Sequence, residues 1–188
     1  MKSFRRNSAA VNAGSMADIA FLLLIFFLVT TTISTDKGIL RQLPPICESG
    51  ECTADIPEHN LLRIAMNEKQ EIMIDETIVK IDEVENLVSA FIDNNGLNTC
   101  NYCEGEQSEE SSDHPKKAVI SLSHDALTKY KLFIKVQDEI TEAYYNLRKR
   151  YAKQVFNKVP SQLDENELVA IRKAYPFKVS EVAVKRSN

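Results

Sequence analysis

A single acidic residue, Asp18, lies in a long apolar stretch near the start of this 188-residue chain. Residues 16–33 read MADIAFLLLIFFLVTTTI, and Asp18 is the only charged residue among them. An ionised carboxylate inside a bilayer costs about 2.5–3.5 kcal/mol on insertion scales, so such a residue is usually buried against protein or water and is often functional. Removal from water disfavours its charged form. A carboxylate in that position can gain and lose protons as its surroundings alternate, which is the chemistry of a proton-driven motor.

The position of Asp18 also allows a second interpretation. It lies near the start of the apolar stretch, where an acidic side chain interacts favourably with the positive end of a helix dipole. On that interpretation Asp18 only marks the interfacial start of the helix. Composition alone leaves both interpretations open.

The four cysteines form two close pairs, Cys47 with Cys52 and Cys100 with Cys103. In an oxidising compartment the default is two disulfides, and local pairing is the simplest of the three connectivities. Cross-pairing would instead join the segment around the first pair to the loop that carries the second. A zinc site made from the second pair and two histidines is a further alternative, although the histidine spacing does not fit a usual site.

Elsewhere the residue types do not indicate catalysis. The histidines, His59, His114 and His124, lie in no nucleophile–base arrangement, and we find no phosphate-binding loop or paired-carboxylate site in the sequence. We therefore expect neither an enzyme nor a resident metal or cofactor. The net charge of −4 gives no case for a nucleic-acid partner. Residues 104–113, EGEQSEESSD, are acidic and poor in apolar side chains, which predicts a mobile loop.

The apolar stretch is long enough to cross a bilayer as a helix over residues 13–34. A hydrocarbon core of about 30 Å needs about 20 residues at about 1.5 Å each. Lys2, Arg5 and Arg6 precede the stretch, so the positive-inside bias places residues 1–12 in the cytoplasm. We therefore expect a single-pass inner-membrane protein with its C-terminal domain in the periplasm. A cleaved signal peptide is the alternative, but the run is long for one and no A-x-A-like cleavage site follows it.

Residues 35–60 read as an extended tether. Within it, Ile39, Leu40 and Leu43 are interrupted by polar residues and could form an edge strand that Pro44 ends. A passive linker is the alternative.

The first part of the domain predicts a hairpin, a helix and a strand. Apolar residues at 61–66 and 71–74 flank a polar turn at residues 67–70. A helix is predicted over residues 81–94 because apolar side chains recur at positions 81, 84, 87, 88, 91 and 92. Residues 118–122 predict a short buried strand.

The second part of the domain, which as a whole covers residues 61–188, is mostly helical. A long helix is predicted at residues 126–157, where it would extend about 45 Å. Ser161 is expected to cap another helix at residues 162–174. Residues 177–184 are predicted to form a last strand. The fold class is therefore α+β: one transmembrane helix and then a small mixed-sheet domain with an extended helical insertion.

The N-terminal segment resembles the ExbD/TolR family. Asn12 precedes the intramembrane Asp18, a Leu/Ile/Phe-rich run follows at residues 22–29, and GILRQLP at residues 38–44 closes an extended segment with Leu-Pro. The resemblance is specific at residue level over residues 11–44, and it covers the rest of the chain in organisation. Family members commonly have a proline between the asparagine and the aspartate, and this chain has none.

The resemblance implies a proton-carrying role for Asp18 in a complex with three kinds of partner. These are an ExbB-type pentameric ring protein, a second ExbD-type chain (a second copy or a paralogue), and a TonB-type protein that energises outer-membrane receptors. It also implies a partner-docking role for the tether residues Ile39, Leu40, Leu43 and Pro44.

Two other functions remain as alternatives. One is a TolR-like subunit that serves envelope integrity or motility, and the other is a periplasmic binding domain that is merely anchored. Sodium as the coupling ion also remains open, although a lone aspartate favours protons. The helical insertion between Leu147 and Tyr175 is larger than the family leads us to expect. It could contact a further partner or extend the core.

Overall fold

The structure is a computed structural model that describes residues 12–30 and 56–183. The predictions for residues 1–11, 31–55 and 184–188 fall outside this part of the chain. The N-terminal helix and the domain belong to separate compact units, and each is described by itself.

Helix α1 comprises Ala13–Thr30 and accounts for the described part of the expected span at residues 13–34. Its 18 residues extend about 27 Å. None of its side chains is buried within the chain. Among the described residues it is the one helix that is long and apolar enough to cross a membrane. Such a helix requires a bilayer or another protein around it, because no described residue of its own unit buries its apolar side chains.

The domain contains a five-stranded mixed sheet in the order β3-β2-β1-β4-β5. In chain order the strands are β1 (Leu61–Met66), β2 (Ile72–Ile74), β3 (Thr77–Val79), β4 (Val119–His124) and β5 (Val179–Ala183). The first three strands pair antiparallel, whereas β4 lies parallel to both β1 and β5. The α+β class predicted from the sequence is confirmed.

Three helices supply the crossovers that parallel strands require. Helix α2 (Ile81–Asp93) leads from the hairpin towards β4, and α3 (Tyr130–Tyr151) and α4 (Glu165–Ala174) lie between β4 and β5. They pack on one face of the sheet, so the domain has two layers around one core. The buried strand residues are Leu62, Ile64, Met66, Ile72, Ile74, Ile120 and Leu122, and the helices add Val84, Val88, Ile92, Val136, Ile140 and Tyr144.

The predicted hairpin is confirmed, and Asn67 shapes its turn. The Asn67 amide donates to the Glu71 carbonyl at 3.2 Å, and the Asn67 side-chain oxygen accepts from the Glu71 amide at 2.9 Å. The helix predicted at residues 81–94 is also confirmed as α2. The sequence analysis missed β3, because its three residues are too few to show an alternating pattern.

The prediction that the long helix begins at residue 126 is wrong. Helix α3 begins at Tyr130. The Asp125 carboxylate accepts from the Leu127 amide at 2.8 Å, and the Thr128 hydroxyl donates to the Met66 carbonyl at 3.2 Å. The first bond is local and holds a turn that competes with the helix, and the second joins this turn to the end of β1.

The far end of α3 also departs from a regular helix. The α-helical part ends at Tyr151 and continues as a π-helical turn, Ala152–Phe156, before Asn157 adopts a left-handed conformation at φ 51°. The 22 α-helical residues extend about 33 Å, which is shorter than the predicted 45 Å.

The cap predicted at Ser161 is also wrong, because Asp164 caps the next helix. The Asp164 carboxylate accepts from the Glu167 amide at 2.9 Å, and the Glu167 carboxylate accepts from the Asp164 amide at 2.9 Å. This reciprocal pair is a capping box. Ser161 instead lies in a 3-10 turn, Pro160–Gln162, so α4 begins three residues later than predicted.

The last strand is confirmed in part. Strand β5 comprises Val179–Ala183, whereas the prediction covered residues 177–184. Phe177 precedes the strand and packs its ring 4.7 Å from that of Tyr144, centroid to centroid.

Candidate functional site

The start of α1 is capped by Asn12. The Asn12 side-chain oxygen accepts from the Gly14 amide at 2.9 Å, and the Asn12 carbonyl accepts from the Met16 amide at 3.2 Å. Asparagine is among the best N-cap residues. The helix therefore has a defined start without the proline that family members commonly carry.

Asp18 lies in the second turn of α1, about 7.5 Å along the axis from Ala13. The first turn contains no acidic residue. Because the dipole effect falls off within the first turn, and Asn12 already caps the helix, the cap interpretation of Asp18 has little support in this geometry.

The helix face around Asp18 leaves space beside its carboxylate. Gly14 is one turn earlier, and helical side chains lean towards the N-terminus of their helix. The carboxylate therefore leans over a residue without a side chain. A Cβ atom added at Gly14 would meet Asn12 Oδ1 at 3.3 Å and no other side chain of the described residues within 4 Å, apart from its two chain neighbours. A partner group or water could reach Asp18 from that side.

Thr30 contributes a hydroxyl at the other end of α1. Its Oγ1 donates to the Phe26 carbonyl at 2.8 Å and lies 3.3 Å from the Phe27 carbonyl. The hydroxyl is thus satisfied by the helix backbone, which allows threonine in an apolar helix.

Six of the site residues named from the sequence lie outside the described part of the chain. They are the docking residues Ile39, Leu40, Leu43 and Pro44 and the cysteines Cys47 and Cys52. Their roles stay predictions.

The second cysteine pair is joined in the structure. Cys100 and Cys103 form a disulfide with Cα atoms 5.5 Å apart, an ordinary separation for such a bond. Their sulfur atoms are bonded to each other, so they do not form the thiolate pair of the zinc alternative. Asn95 holds Cys100 from both sides, because its amide oxygen accepts from the Cys100 amide at 2.9 Å and its amide nitrogen donates to the Cys100 carbonyl at 3.1 Å.

The acidic segment at residues 104–113 is held to the end of α2, in contrast to the predicted mobile loop. Asn94 is buried and donates to the carbonyls of Ser108 and Ser112 at 2.8 and 2.9 Å. Its side-chain oxygen accepts from the Ser108 amide at 2.9 Å. The sequence analysis weighed the polarity of the segment and missed the asparagines that bind its backbone.

Asp93 forms the polar centre of the domain. It is 4% exposed and ends α2, where an acid is unfavourable for the helix dipole. It forms an ion pair with Arg150 and accepts from the Tyr175 hydroxyl at 2.6 Å and from the Glu104 amide at 3.0 Å. Burial and the Asp93 carboxylate raise the pKa of Tyr175, which keeps its hydroxyl protonated as a donor. An acid at the end of a predicted helix was the one sequence signal for this centre.

A second polar cluster fixes the entry to β1. Asn60 is buried, donates to Asp113 Oδ2 at 2.9 Å and accepts from the Asp113 amide at 2.9 Å. Lys117 Nζ and His59 Nε2 lie 3.0 and 3.2 Å from the same carboxylate. The bonds from Asn60, Lys117 and His59 together lower the pKa of Asp113 to about 2. The turn Glu58–Asn60 thus belongs to the ordered domain, although the sequence analysis placed it in the tether.

Over residues 12–30 and 56–183, these features define a protein with one candidate membrane-spanning helix, which carries a single carboxylate, and a separate α+β domain. The family model described as biopolymer transport protein ExbD/TolR matches residues 5–149, and the chain belongs to that family. No curated protein matches the chain. Members of the family are transport-associated, non-enzymatic proteins that generally work in complexes with ExbB/TolQ-type partners.

Proposed function

We propose that this chain is the proton-coupling subunit of an ExbB–ExbD-type inner-membrane motor that energises TonB-dependent outer-membrane transport. The observation that carries the proposal is Asp18, the one charged residue of the apolar helix α1. An ionised carboxylate inside a bilayer is unfavourable in free energy, and such residues are mostly found where they have a functional role.

The remaining parts of the motor follow from the same proposal. Helix α1 spans the inner membrane once, with residues 1–12 in the cytoplasm and the domain in the periplasm. It works inside an ExbB-type pentameric ring beside the helix of a second ExbD-type chain. Asp18 takes up a proton from the periplasmic side and releases it to the cytoplasm, and the resulting motion reaches a TonB-type protein. The ring supplies the polar surroundings that a carboxylate needs away from water.

The proposal assigns roles to the tether as well. Ile39, Leu40, Leu43 and Pro44 dock a partner segment at the edge of a sheet, where main-chain bonds give affinity and alternate side chains give selectivity. Cys47 and Cys52 form a local disulfide in the oxidising periplasm.

The test is the nearly isosteric change Asp18→Asn, which removes the titratable group and keeps the size of the side chain. In cells that lack their own copy, we expect this variant to reach the membrane and to copurify with the ring protein at normal levels. Iron–siderophore uptake should be lost, because an amide cannot carry a proton. Thr30→Val, a shape-matched change on the same helix, should keep uptake. Normal uptake by D18N cells would contradict the proposal.

A TolR-like subunit is the second candidate, because the matching family description covers both systems. The same D18N cells separate the two. Loss of nutrient import with an intact envelope supports the first candidate, whereas detergent sensitivity and periplasmic leakage with normal import support the second.

A merely anchored domain is the third possibility. Exchange of residues 13–33 for an unrelated neutral apolar helix should preserve function only in that case. Uptake that survives this exchange would remove the proton-carrying role of Asp18.

A further inference from the structure

We propose that a basic groove at the end of α3 binds an extended acidic polypeptide segment whose carboxylates are two residues apart. The groove, here called the α3-end groove, has a volume of about 430 Å³. Its lining includes Lys149, Lys153, Asn157, Lys158, Val159 and Pro160. Most of them follow Lys149, where the family match ends, so the groove is no part of what the match describes.

The charge in the groove points to an anionic ligand. Its lining contains four basic residues and no acidic one. Two of the four are neutralised within the domain: Arg150 pairs with Asp93, and Lys158 Nζ lies 2.6 Å from Glu167 Oε1. Lys149 and Lys153 are exposed and form no ion pair with any described residue. Their two positive charges can therefore bind an anionic ligand.

The spacing of these two lysines selects an extended chain. Lys149 lies in the last turn of α3 and Lys153 in the π-helical turn that continues it, and both line the groove. Four residues at about 1.5 Å each place them about 6 Å apart along the helix axis. In an extended segment, side chains two residues apart point to the same side and are about 6.6 Å apart. Two glutamates in such a segment can therefore reach one lysine each.

The neutral part of the lining favours a polypeptide over a free anion. Val159 is 52% exposed and lies next to Pro160, which together form an apolar shelf. Asn157 and Gln162 bring side-chain amides, which donate and accept as peptide groups do. A small anion needs neither feature, whereas a peptide uses the amides for its backbone and the shelf for a side chain.

The groove is also held in shape before any ligand arrives. Its wall includes Lys153, from the π-helical turn Ala152–Phe156, and the left-handed Asn157, and π-helical turns are frequent at functional sites. The Lys158–Glu167 ion pair joins this wall to the first turn of α4. A preformed groove loses less conformational freedom on binding.

The experiment uses the full chain in a neutral detergent and three fluorescent octapeptides. One, the alternating peptide, has two glutamates separated by a single serine in a serine background. The second, the block peptide, has the same composition with its two glutamates adjacent, so it contains no pair of carboxylates two residues apart. The third replaces both glutamates with glutamine. Fluorescence anisotropy should show the tightest binding for the alternating peptide, weaker binding for the block peptide and none for the glutamine peptide. Binding of the alternating peptide should weaken with added salt.

The variants test the site. Lys149→Gln with Lys153→Gln should weaken binding about tenfold, as expected for the loss of two exposed ion pairs. The matched control is Lys131→Gln with Lys135→Gln, because these lysines are also exposed and four apart but lie near the start of α3, outside the groove lining. The control should bind as the unchanged chain does. Circular dichroism verifies that both double variants keep the fold.

Three results would overturn the proposal. The first is equal weakening in both double variants, which would indicate non-specific attraction. The second is equal binding of the alternating and block peptides, which would remove the spacing argument. The third is saturable binding of inorganic phosphate, or of vesicles of phosphatidylglycerol, that depends on Lys149 and Lys153 while no peptide binds. That result would assign the groove to a free anion or to a lipid surface instead.

Discussion

The Tyr175 hydroxyl donates a 2.6 Å hydrogen bond to Asp93 Oδ1 across 82 positions of sequence. This bond joins the residue that follows α4 to the last residue of α2. Tyr175 lies beyond the matched residues 5–149, whereas Asp93 lies within them. The C-terminal segment is therefore packed into the polar centre of the domain. Tyr175 is thus part of the folded core of the domain.

We expect Tyr175→Phe to lower the free energy of unfolding by about 1.5–3 kcal/mol. The change removes one hydrogen bond to a buried carboxylate and leaves the ring in place. Urea denaturation of the domain followed by circular dichroism measures the effect. The matched control is Tyr145→Phe, which deletes the same atom from an exposed tyrosine of α3 and should change the free energy by less than about 0.5 kcal/mol. Equal effects in both variants would remove Asp93 as the cause.

The Asp113 cluster predicts a defined loss of stability in acid. The folded pKa of Asp113 is lowered to about 2, below its value of about 3.9 in an unfolded chain. Its contribution is therefore fully present above about pH 4 and is lost as the pH falls through about 2. With a discount for its water-facing side, we expect about 1–2 kcal/mol.

The measurement is the difference in unfolding free energy between the unchanged protein and Asp113→Asn. This difference should be largest at pH 5 and should shrink between about pH 4 and pH 2. Asp138→Asn, which removes an exposed carboxylate of α3, serves as the control for the loss of one acid. A difference that stays constant with pH would contradict the role of Asp113.

The disulfide predicts a specific peptide map. Non-reducing digestion and mass spectrometry should recover a link between Cys100 and Cys103, and no link from either to Cys47 or Cys52. Replacement of both residues of the second pair by serine should lower the free energy of unfolding by about 2 kcal/mol, the value for a loop of this length in the chain-entropy model. A cross-link between the two pairs would contradict the connectivity in the structure.

Local patterns allowed several elements to be predicted from the sequence. The apolar positions of α2 placed Val84, Val88 and Ile92 in the core, because a helix repeats its buried face every three or four residues. Leu87 belonged to the same pattern but is 40% exposed. The spacing of apolar residues therefore predicted where the helix lies, but it did not predict which of those residues are buried.

The boundaries of α3 and α4 were missed because two local signals competed at each. Ser161 and Asp164 are both good caps, and the reciprocal pairing of Asp164 with Glu167 decides between them. Before α3, the side chain of Asp125 bonds to the backbone two residues later and delays the helix. Periodicity carries no information about such side-chain bonds.

The polar centre could not be predicted, because its members come together only in the folded domain. Asp93 meets Arg150 and Tyr175 from 57 and 82 positions away. The sequence presents each as an ordinary charged or aromatic residue of a helix. The α3-end groove could not be predicted for the same reason, because Lys149 and Lys153 meet Val159 and Pro160 only where the folded chain turns after α3.

The order of the strands determines how the domain would respond to a pull from its N-terminal side. β1 is the first strand in the chain, yet it lies in the middle of the sheet, with β2 on one side and β4 on the other. Its parallel ladder with β4 runs over six residue pairs, from Leu61↔Val119 to Met66↔His124. β1, β4 and β5 run parallel, so the start of β1 and the end of β5 lie at opposite ends of the sheet. Tension between Glu58–Asn60 and the end of β5 would load the β1–β4 bonds together in shear, whereas a strand pulled away sideways would lose its bonds one at a time. The central position of β1 therefore favours resistance of the domain to unfolding under such a force.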